Sequence, residues 1–305
     1  MSGEPTFLQP RVLIPFALVT LIWGSTWLVI KDQLGAVPPT WSVTYRFTIA
    51  AAAMFAYARW RGEPLRIGRH GHLLALLFGI PQFYLNFNFV YAAELYITSG
   101  LVAVVFALLL VPNSALGRLF LKQRVTGRFV AGSVVAVVGV ALLFVQEMRA
   151  SEAAPHEVLL GIGLTLLAVL SASVSNIMQG SERLRRRPPA AMLAWGMVYG
   201  VIGNAATAAI LYGPPVVESR AGYWAGLLYL GLAASALAFT LYFGIIRLVG
   251  PAKAAYSSIL VPVLAMGLST LFEGYRWSVL AVAGGLLALT GLSLALGARQ
   301  AAAPS

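Results

Sequence analysis

Long apolar runs separated by short polar connectors dominate the chain. A membrane-spanning helix needs about 20 mostly apolar residues to cross about 30 Å of hydrocarbon. Ten runs meet that length, and they cover approximately residues 11–31, 40–59, 71–93, 97–119, 126–146, 157–180, 190–212, 221–246, 251–272 and 277–297. Proline and glycine mark many of the connectors, as expected between helices. The pattern predicts an all-α, polytopic membrane protein with ten transmembrane helices and no soluble domain.

Composition supports this class of protein. Of the 305 residues, 59% are hydrophobic and 10% are charged, so too little polar surface is available to cover a water-soluble body. The chain has no cysteine, which excludes disulfides and thiolate metal sites. The net charge is +11, but the basic residues form no patch within a soluble region of the kind that binds nucleic acid. We therefore predict a lipid bilayer, and no nucleic acid, as the partner of this surface.

The distribution of Lys and Arg predicts the orientation. If the amino terminus is inside, 16 of the 21 basic residues fall in inside segments, and only Lys31, Arg149, Arg220 and Arg276 fall outside. Acidic residues show the opposite bias. Because short cytoplasmic loops retain Lys and Arg, both termini are predicted to be cytoplasmic.

The second half of the chain repeats features of the first. The matching series are Pro112, Gly132 and Gly139 in the first half and Pro262, Gly284 and Gly291 in the second. The Pro-Pro pair at 38–39 also has an echo at 188–189. Two units of five helices must insert with opposite orientations, which is the inverted repeat of many secondary transporters. We predict one repeat over residues 1–148 and another over residues 149–305.

Several of these motifs resemble a known family. They are Trp-Gly-Ser-Thr at 23–26, Pro-Pro at 38–39, Tyr-Arg-Phe at 45–47, Tyr-Ile-Thr-Ser-Gly at 96–100, Pro112, and the series Pro262, Glu273, Gly284 and Gly291. Together they resemble the EamA-type members of the drug/metabolite transporter superfamily over nearly the whole chain. The first half departs from the pattern at Lys122-Gln123, where the usual acidic residue is missing.

The resemblance implies a ten-helix bundle with a central cavity, alternating access, and export of small metabolites, often amino acids. It also implies the inner membrane of a bacterium. Organic cations such as quaternary amines, held by aromatic faces, are an alternative substrate class. A passive facilitator or pore is an alternative mechanism.

Arg46 is the only cation well inside a predicted span. Placing an arginine in a membrane costs roughly 2.5–3.5 kcal/mol on insertion scales, so its side chain should face protein or water. It could pair with the carboxylate of a zwitterionic substrate through its planar fork of donors. It could equally bind backbone carbonyls or extend to the interface.

The third span carries polar residues on two faces. At about 100° per residue, one face holds Tyr84, Asn88 and Tyr91, and a nearly opposite face holds Gln82, Asn86 and Phe89. We expect one face to meet the cavity and the other a neighbouring helix, because buried amides serve both purposes.

The remaining candidates are aromatic and small polar residues of other spans. The full set of predicted substrate-binding residues is Trp23, Ser25, Tyr45, Arg46, Tyr84, Asn86, Asn88, Tyr91, Trp195, Tyr199 and Tyr242.

Every Asp and Glu is expected at a helix end or in a loop. Glu94 and Glu273 come nearest to being embedded, and both are expected to be solvated helix ends. Transport would then be coupled to protons through one of them, or be driven by the substrate gradient. His70, His72 and His156 are expected in loops. No catalytic triad, metal-ligand spacing or nucleotide motif is present, so the sequence predicts no enzyme and no cofactor.

Overall fold

The computed structural model describes residues 9–121, 125–150, 154–242, 244–245 and 257–301, and almost all of these are helical. In chain order the long helices are α1 (Pro10–Asp32), α2 (Pro39–Trp60), α3 (Gly68–Ala93), α4 (Ser99–Ala107 continuing as Leu110–Leu121), α5 (Gly127–Ala150), α6 (Pro155–Gly180), α7 (Pro189–Tyr212), α8 (Ala221–Tyr242), α9 (Ser257–Phe272) and α10 (Val279–Ala301). A one-turn helix, Glu182–Arg185, precedes α7. No strand occurs within these ranges.

Seven of these helices, α1 and α3 to α8, are long and apolar enough to cross a membrane. The apolar parts of α9 and α10 are shorter, at Ile259–Phe272 and Val279–Ala295. Helix α2 has 22 residues, but Arg46 and several hydroxyl groups make it less apolar. The predicted all-helical, polytopic fold is confirmed. The count of ten spans stays a prediction. The dipeptide Lys122-Gln123, where the first half departs from the family pattern, lies outside the described residues.

Prolines begin several of the helices. Pro39, Pro155 and Pro189 are the first residues of α2, α6 and α7. A proline there is tolerated because its missing N–H would have no partner in the helix. Gly213 follows the last residue of α7, and its φ of +77° is a conformation that glycine adopts without steric cost.

The repeated glycines meet at one interface, between α5 and α10. A Cβ added to Gly132 would lie 2.7 Å from the carbonyl oxygen of Gly291, and one added to Gly139 would lie 2.6 Å from that of Gly284. The partners follow opposite orders along the two helices, so α5 and α10 are antiparallel. This is the arrangement that an inverted repeat requires of equivalent helices.

Other helices also pack on their own counterparts. Extensive contacts join α2 to α7 and α4 to α9, as well as α5 to α10. The two repeats therefore pack together into a single helical bundle. The boundary between them at residues 148 and 149 stays a prediction.

Helices α3 and α8 contain π-helical segments at equivalent positions. These segments are Ile80–Leu85 and Tyr229–Leu237. The interval that separates Pro112 from Pro262 places Ile80 on Leu230, within the second segment. A π turn inserts an extra residue into the helix and rotates the residues after it, and such turns are frequent at functional sites.

Candidate substrate site

Arg46 lies inside the protein, on α2. Its side chain is 1% exposed, and its Nε donates to the Ser235 Oγ at 3.2 Å. The guanidinium carbon lies 4.4 Å from the ring centroid of Phe87 and 5.4 Å from that of Phe47. The NH1 group has no hydrogen-bond partner among the described residues. Arg46 therefore faces protein, as predicted, and the alternative of extension to the interface is wrong.

One stripe of α3 lies against the Arg46 region. Phe83, Phe87 and Tyr91 follow each other at four-residue intervals, and the Phe83 and Phe87 rings lie 5.1 Å and 4.8 Å from that of Phe47. The fully buried Tyr91 hydroxyl lies against the Arg46 guanidinium and acts on it through charge and a loose hydrogen-bond contact, while no described residue meets it with normal hydrogen-bond geometry. The π segment Ile80–Leu85 contains Phe83, the first residue of this stripe, and its wider turn alters which residues share a face with Phe83.

Tyr84 and Asn88 point instead to α7. The Tyr84 hydroxyl lies 2.7 Å from Thr207 Oγ1, and Asn88 Nδ2 donates to the Asn204 side chain. The predicted grouping of Tyr91 with these two residues is therefore wrong, because they contact different helices. Their bonds join helices to each other.

Asn86 lies apart from that contact. It is 3% exposed, and its Oδ1 has no partner in the described part of the chain. A buried amide oxygen without a partner is costly, and in native structures it marks strain, function, water or a bound group.

Residues of α1 meet the π segment of α8. Trp23 Nε1 donates to the Ala234 carbonyl oxygen at 3.2 Å, and the Ser25 hydroxyl lies 2.7 Å from that of Tyr229. The ring of Tyr242 lies 5.0 Å from that of Trp23. Since Ser235 of the same segment accepts from Arg46, this segment joins Trp23, Ser25 and Arg46 into one region.

Three candidates lie elsewhere. The Tyr45 hydroxyl donates to the Val216 carbonyl oxygen at 3.0 Å, and its ring stacks on Trp41 and Trp224. Tyr45 therefore packs against the connector between α7 and α8.

Trp195 and Tyr199 form a separate cluster with His72. Trp195 Nε1 donates to the Leu65 carbonyl oxygen at 2.9 Å, and the Tyr199 hydroxyl lies 3.0 Å from His72 Nδ1. The expectation that the histidines lie in loops is wrong. His70 and His72 are in the first turns of α3, and His156 follows the first residue of α6, because both helices begin before their apolar runs.

Glu94 is the residue whose burial the sequence did not predict. It follows the last residue of α3, is 0% exposed, and neither carboxylate oxygen has a hydrogen-bond partner among the described residues. Burial raises the pKa of Glu94 well above its usual value, the positive charge of Lys31 opposes this, and Glu273 adds to it. The expectation of a solvated helix end is wrong for Glu94. Its spacing of three residues from Tyr91 was the available signal, because it places both on one side of the helix.

Two other acids at this end bind the start of α4. Glu147 accepts from the Thr98 N–H at 3.3 Å, and Glu273 accepts from the Ser99 N–H at 3.3 Å and from its hydroxyl at 2.5 Å. Carboxylates are stabilised at a helix amino terminus by its unpaired N–H groups. Lys31 donates to the main-chain oxygen of Glu94. Glu273 is half-buried and its carboxylate is hydrogen-bonded, whereas the Glu94 carboxylate is buried and has no partner in the described part of the chain.

The fold and these contacts define a class of protein. It is a polytopic helical membrane protein with two related halves, whose interior polar groups come from both. That is the architecture of secondary carriers built from inverted repeats.

More specifically, the chain belongs to the EamA-like transporter family, whose model matches residues 11–145 and 159–297. It is therefore a transporter and not an enzyme.

Relatives with similar sequences cover nearly all of the chain. Protein PagO of Salmonella typhimurium is 24% identical over 270 residues, which are 88% of this chain and 86% of the relative. The "Probable amino-acid metabolite efflux pump" of Escherichia coli is 26% identical over 284 residues, which are 90% and 91% of the two chains. A solved crystal structure that is 21% identical aligns with a TM-score of 0.70 over 95% of this chain and 98% of its own, which shows the shared fold.

Proposed function

We propose that this transporter exports small organic metabolites, most of all amino acids or related zwitterions, by alternating access. The observation that carries the proposal is the buried guanidinium of Arg46, which keeps an unpartnered NH1 group beside Tyr91. A carboxylate would satisfy that donor with a charge-assisted hydrogen bond. The name of the Escherichia coli relative, an amino-acid metabolite efflux pump, supports the same substrate class.

The substrate region is proposed to include Arg46, Tyr91, Asn86, Trp23 and Ser25. Tyr242 joins it through its contact with the Trp23 ring. Tyr84, Asn88, Tyr45, Trp195 and Tyr199 are bonded to protein groups in this structure and would act on transport through packing, or only after a conformational change.

Alternating access would use the two irregular helices. The π segments of α3 and α8 lie at equivalent positions in the two repeats, where helical hydrogen bonding is already irregular. Rocking of the two repeats about a site between them would expose it to each side in turn. The inner membrane of a bacterium and cytoplasmic termini are part of this proposal, and its coupling is to a proton or to the substrate gradient.

Organic cations are the competing substrate class. The Phe87 and Tyr91 rings could hold a cation, but Arg46 lies directly over the Phe87 ring and would repel it. The zwitterion hypothesis therefore explains both the rings and the arginine.

A binding panel separates the two classes. Purified protein would be heated with each common amino acid, with the amine that lacks its carboxylate, and with its N-acetyl derivative. A ligand of the folded state raises the apparent melting temperature. We expect shifts from one or more amino acids, and loss of those shifts in Arg46→Ala. Arg220→Ala is the matched control, because Arg220 forms an exposed ion pair with Asp32. Shifts from amines alone would contradict the proposal.

A further inference from the structure

Glu94 and Arg46 are two buried ionisable groups whose charged forms have opposite signs, and both have atoms without hydrogen-bond partners in the described residues. Glu94 is 0% exposed and Arg46 is 1% exposed. Tyr91 lies against Arg46 and precedes Glu94 by three residues on the same side of α3, which brings the two groups into one region, and the described residues form no ion pair between them. Burying a charge without a partner is expensive, and a direct ion pair would reduce that cost. Because the carboxyl group and the guanidinium are not paired with each other, they are together complementary to a ligand that carries both an ammonium and a carboxylate.

The groups that face Glu94 come from four elements. Lys31 of α1 donates to the main-chain oxygens of Glu94 and Ile97, and its hydrogen bonds do not reach the carboxylate. Glu273, after α9, is bonded to Ser99 and acts on Glu94 by charge repulsion. Arg46 of α2 attracts it. Tyr91, on α3 itself, lies toward Arg46.

Glu147 of α5 completes the set of nearby acids. It interacts with Lys31 and Glu273 and accepts from the Thr98 N–H at 3.3 Å. Among these acids, Glu94 alone combines full burial with two carboxylate oxygens that lack partners in the described residues.

We propose that Glu94 binds the ammonium group of a zwitterionic substrate whose carboxylate lies on Arg46, and that a proton takes the place of the ammonium when the substrate leaves. The proposal rests on the role of Arg46 in the proposed function. An embedded carboxylate that alternates between a proton and a cation is a physical means of coupling transport to the proton gradient.

The cycle balances in protons and charge. When the zwitterion enters, the Glu94 carboxyl group releases its proton to that side, and the carboxylate pairs with the ammonium. When the zwitterion leaves on the other side, the carboxylate takes a proton from there. Each cycle exchanges one zwitterion for one proton moving in the opposite direction, and it carries one positive charge with the proton. Export would then be driven by an inward proton gradient.

Proton release on binding tests the proposal directly. The probe is the amino acid that gives the largest melting shift in the panel, added to purified protein in weakly buffered detergent solution. At acidic pH we expect about one proton released per amino acid bound, falling as pH rises and Glu94 loses its proton. Glu94→Gln should release none, and Glu94→Asp should retain release. Glu218→Gln is the matched control, because Glu218 is partly exposed in the connector before α8 and accepts main-chain N–H groups of that connector.

The N-acetyl derivative provides a second readout, because it keeps the carboxylate and lacks the ammonium. It should bind the wild-type protein at least about tenfold more weakly than the amino acid, and this preference should disappear in Glu94→Gln. Equal proton release by wild type and Glu94→Gln would overturn the role of Glu94 and leave Arg46 untouched. Retained amino-acid binding in Arg46→Ala, with proton release lost in Glu94→Gln, would overturn the role of Arg46 alone. Failure of every amino acid to bind would overturn both.

Discussion

Asn86 and Asn88 lie two residues apart on α3 and have different surroundings. Asn88 bonds to the side chain of Asn204 and to the Tyr84 carbonyl oxygen, whereas the Asn86 Oδ1 is buried without a partner in the described residues. The sequence predicts two polar faces on α3, and it cannot say which one meets another helix. Only the position of α7 decides that.

The two asparagines therefore predict opposite outcomes on substitution. Asn88→Leu removes an interhelical hydrogen bond, so we expect a loss of stability of about 1 kcal/mol, within the range measured for such bonds in membranes. It should leave substrate preference unchanged. Asn86→Leu should change substrate preference and leave stability unchanged or raised, because it removes an unsatisfied polar atom.

Thermal unfolding of both variants in one detergent, with the ligand panel, checks this pair of expectations. An altered ligand preference in Asn88→Leu combined with an unaltered one in Asn86→Leu would reverse the two assignments.

At the scale of elements, close helix contact at the repeated glycines holds the halves together. Gly284 meets the main chain of α5, with its missing Cβ position 2.7 Å from the Gly139 carbonyl oxygen. For the next residue, Gly285, no atom of the described ranges lies within 4 Å of the Cβ position. Small residues at such interfaces let backbones approach closely where lipid supplies no hydrophobic driving force.

Substitution of the two adjacent glycines by alanine separates packing from helix propensity. Gly284→Ala should destabilise the protein by about 1–3 kcal/mol, because main-chain atoms of α5 must move. Gly285→Ala should be neutral or stabilising by up to about 1 kcal/mol, since alanine favours a helix over glycine. Unfolding curves of the two variants measure the difference, and equal effects would place the α5–α10 contact elsewhere.

The helices were predictable from the sequence because hydropathy and proline positions record them directly. The glycine interface was predictable as a repeat, from its equal spacing in the two halves. The π segments could not be predicted, since the hydrophobic pattern of a helical turn with one extra residue does not differ from that of an ordinary apolar helix. The π segment of α3 contains Tyr84, whereas Asn88 and Tyr91 both follow it in regular helix, so their different contacts come from the helices packed around them. The burial of Glu94 was also not predicted, because it depends on how the ends of α1, α4 and α9 pack around Glu94 in three dimensions.

At the scale of the whole molecule, the charge distribution predicts how the bundle lies in the membrane. Arg220, just before α8, and Asp32, the last residue of α1, form an exposed ion pair with a distance of 2.9 Å at the side of the membrane that the sequence places outside. Such exposed pairs contribute little stability. Their value is to place the end of α1 and the start of α8 at the same end of the bundle.

The orientation has its own test. A periplasmic-activity reporter fused after Arg149, which the positive-inside rule places outside, should be active. A matched fusion after Arg187 should be inactive. Activity of the Arg187 fusion alone would show that the protein has the opposite orientation in the membrane. The predicted direction of proton coupling would then be reversed as well.

Counterflow in proteoliposomes tests the central claim most directly, namely that this protein is a carrier that recognises a carboxylate through Arg46. Vesicles loaded with the unlabelled amino acid would be diluted into a trace of the labelled one. The account predicts a transient accumulation of label above equilibrium in the wild type, reduced at least about tenfold in Arg46→Ala and retained in Arg220→Ala. Equilibration without accumulation would indicate a pore, and equal accumulation in wild type and Arg46→Ala would contradict the assigned role of Arg46.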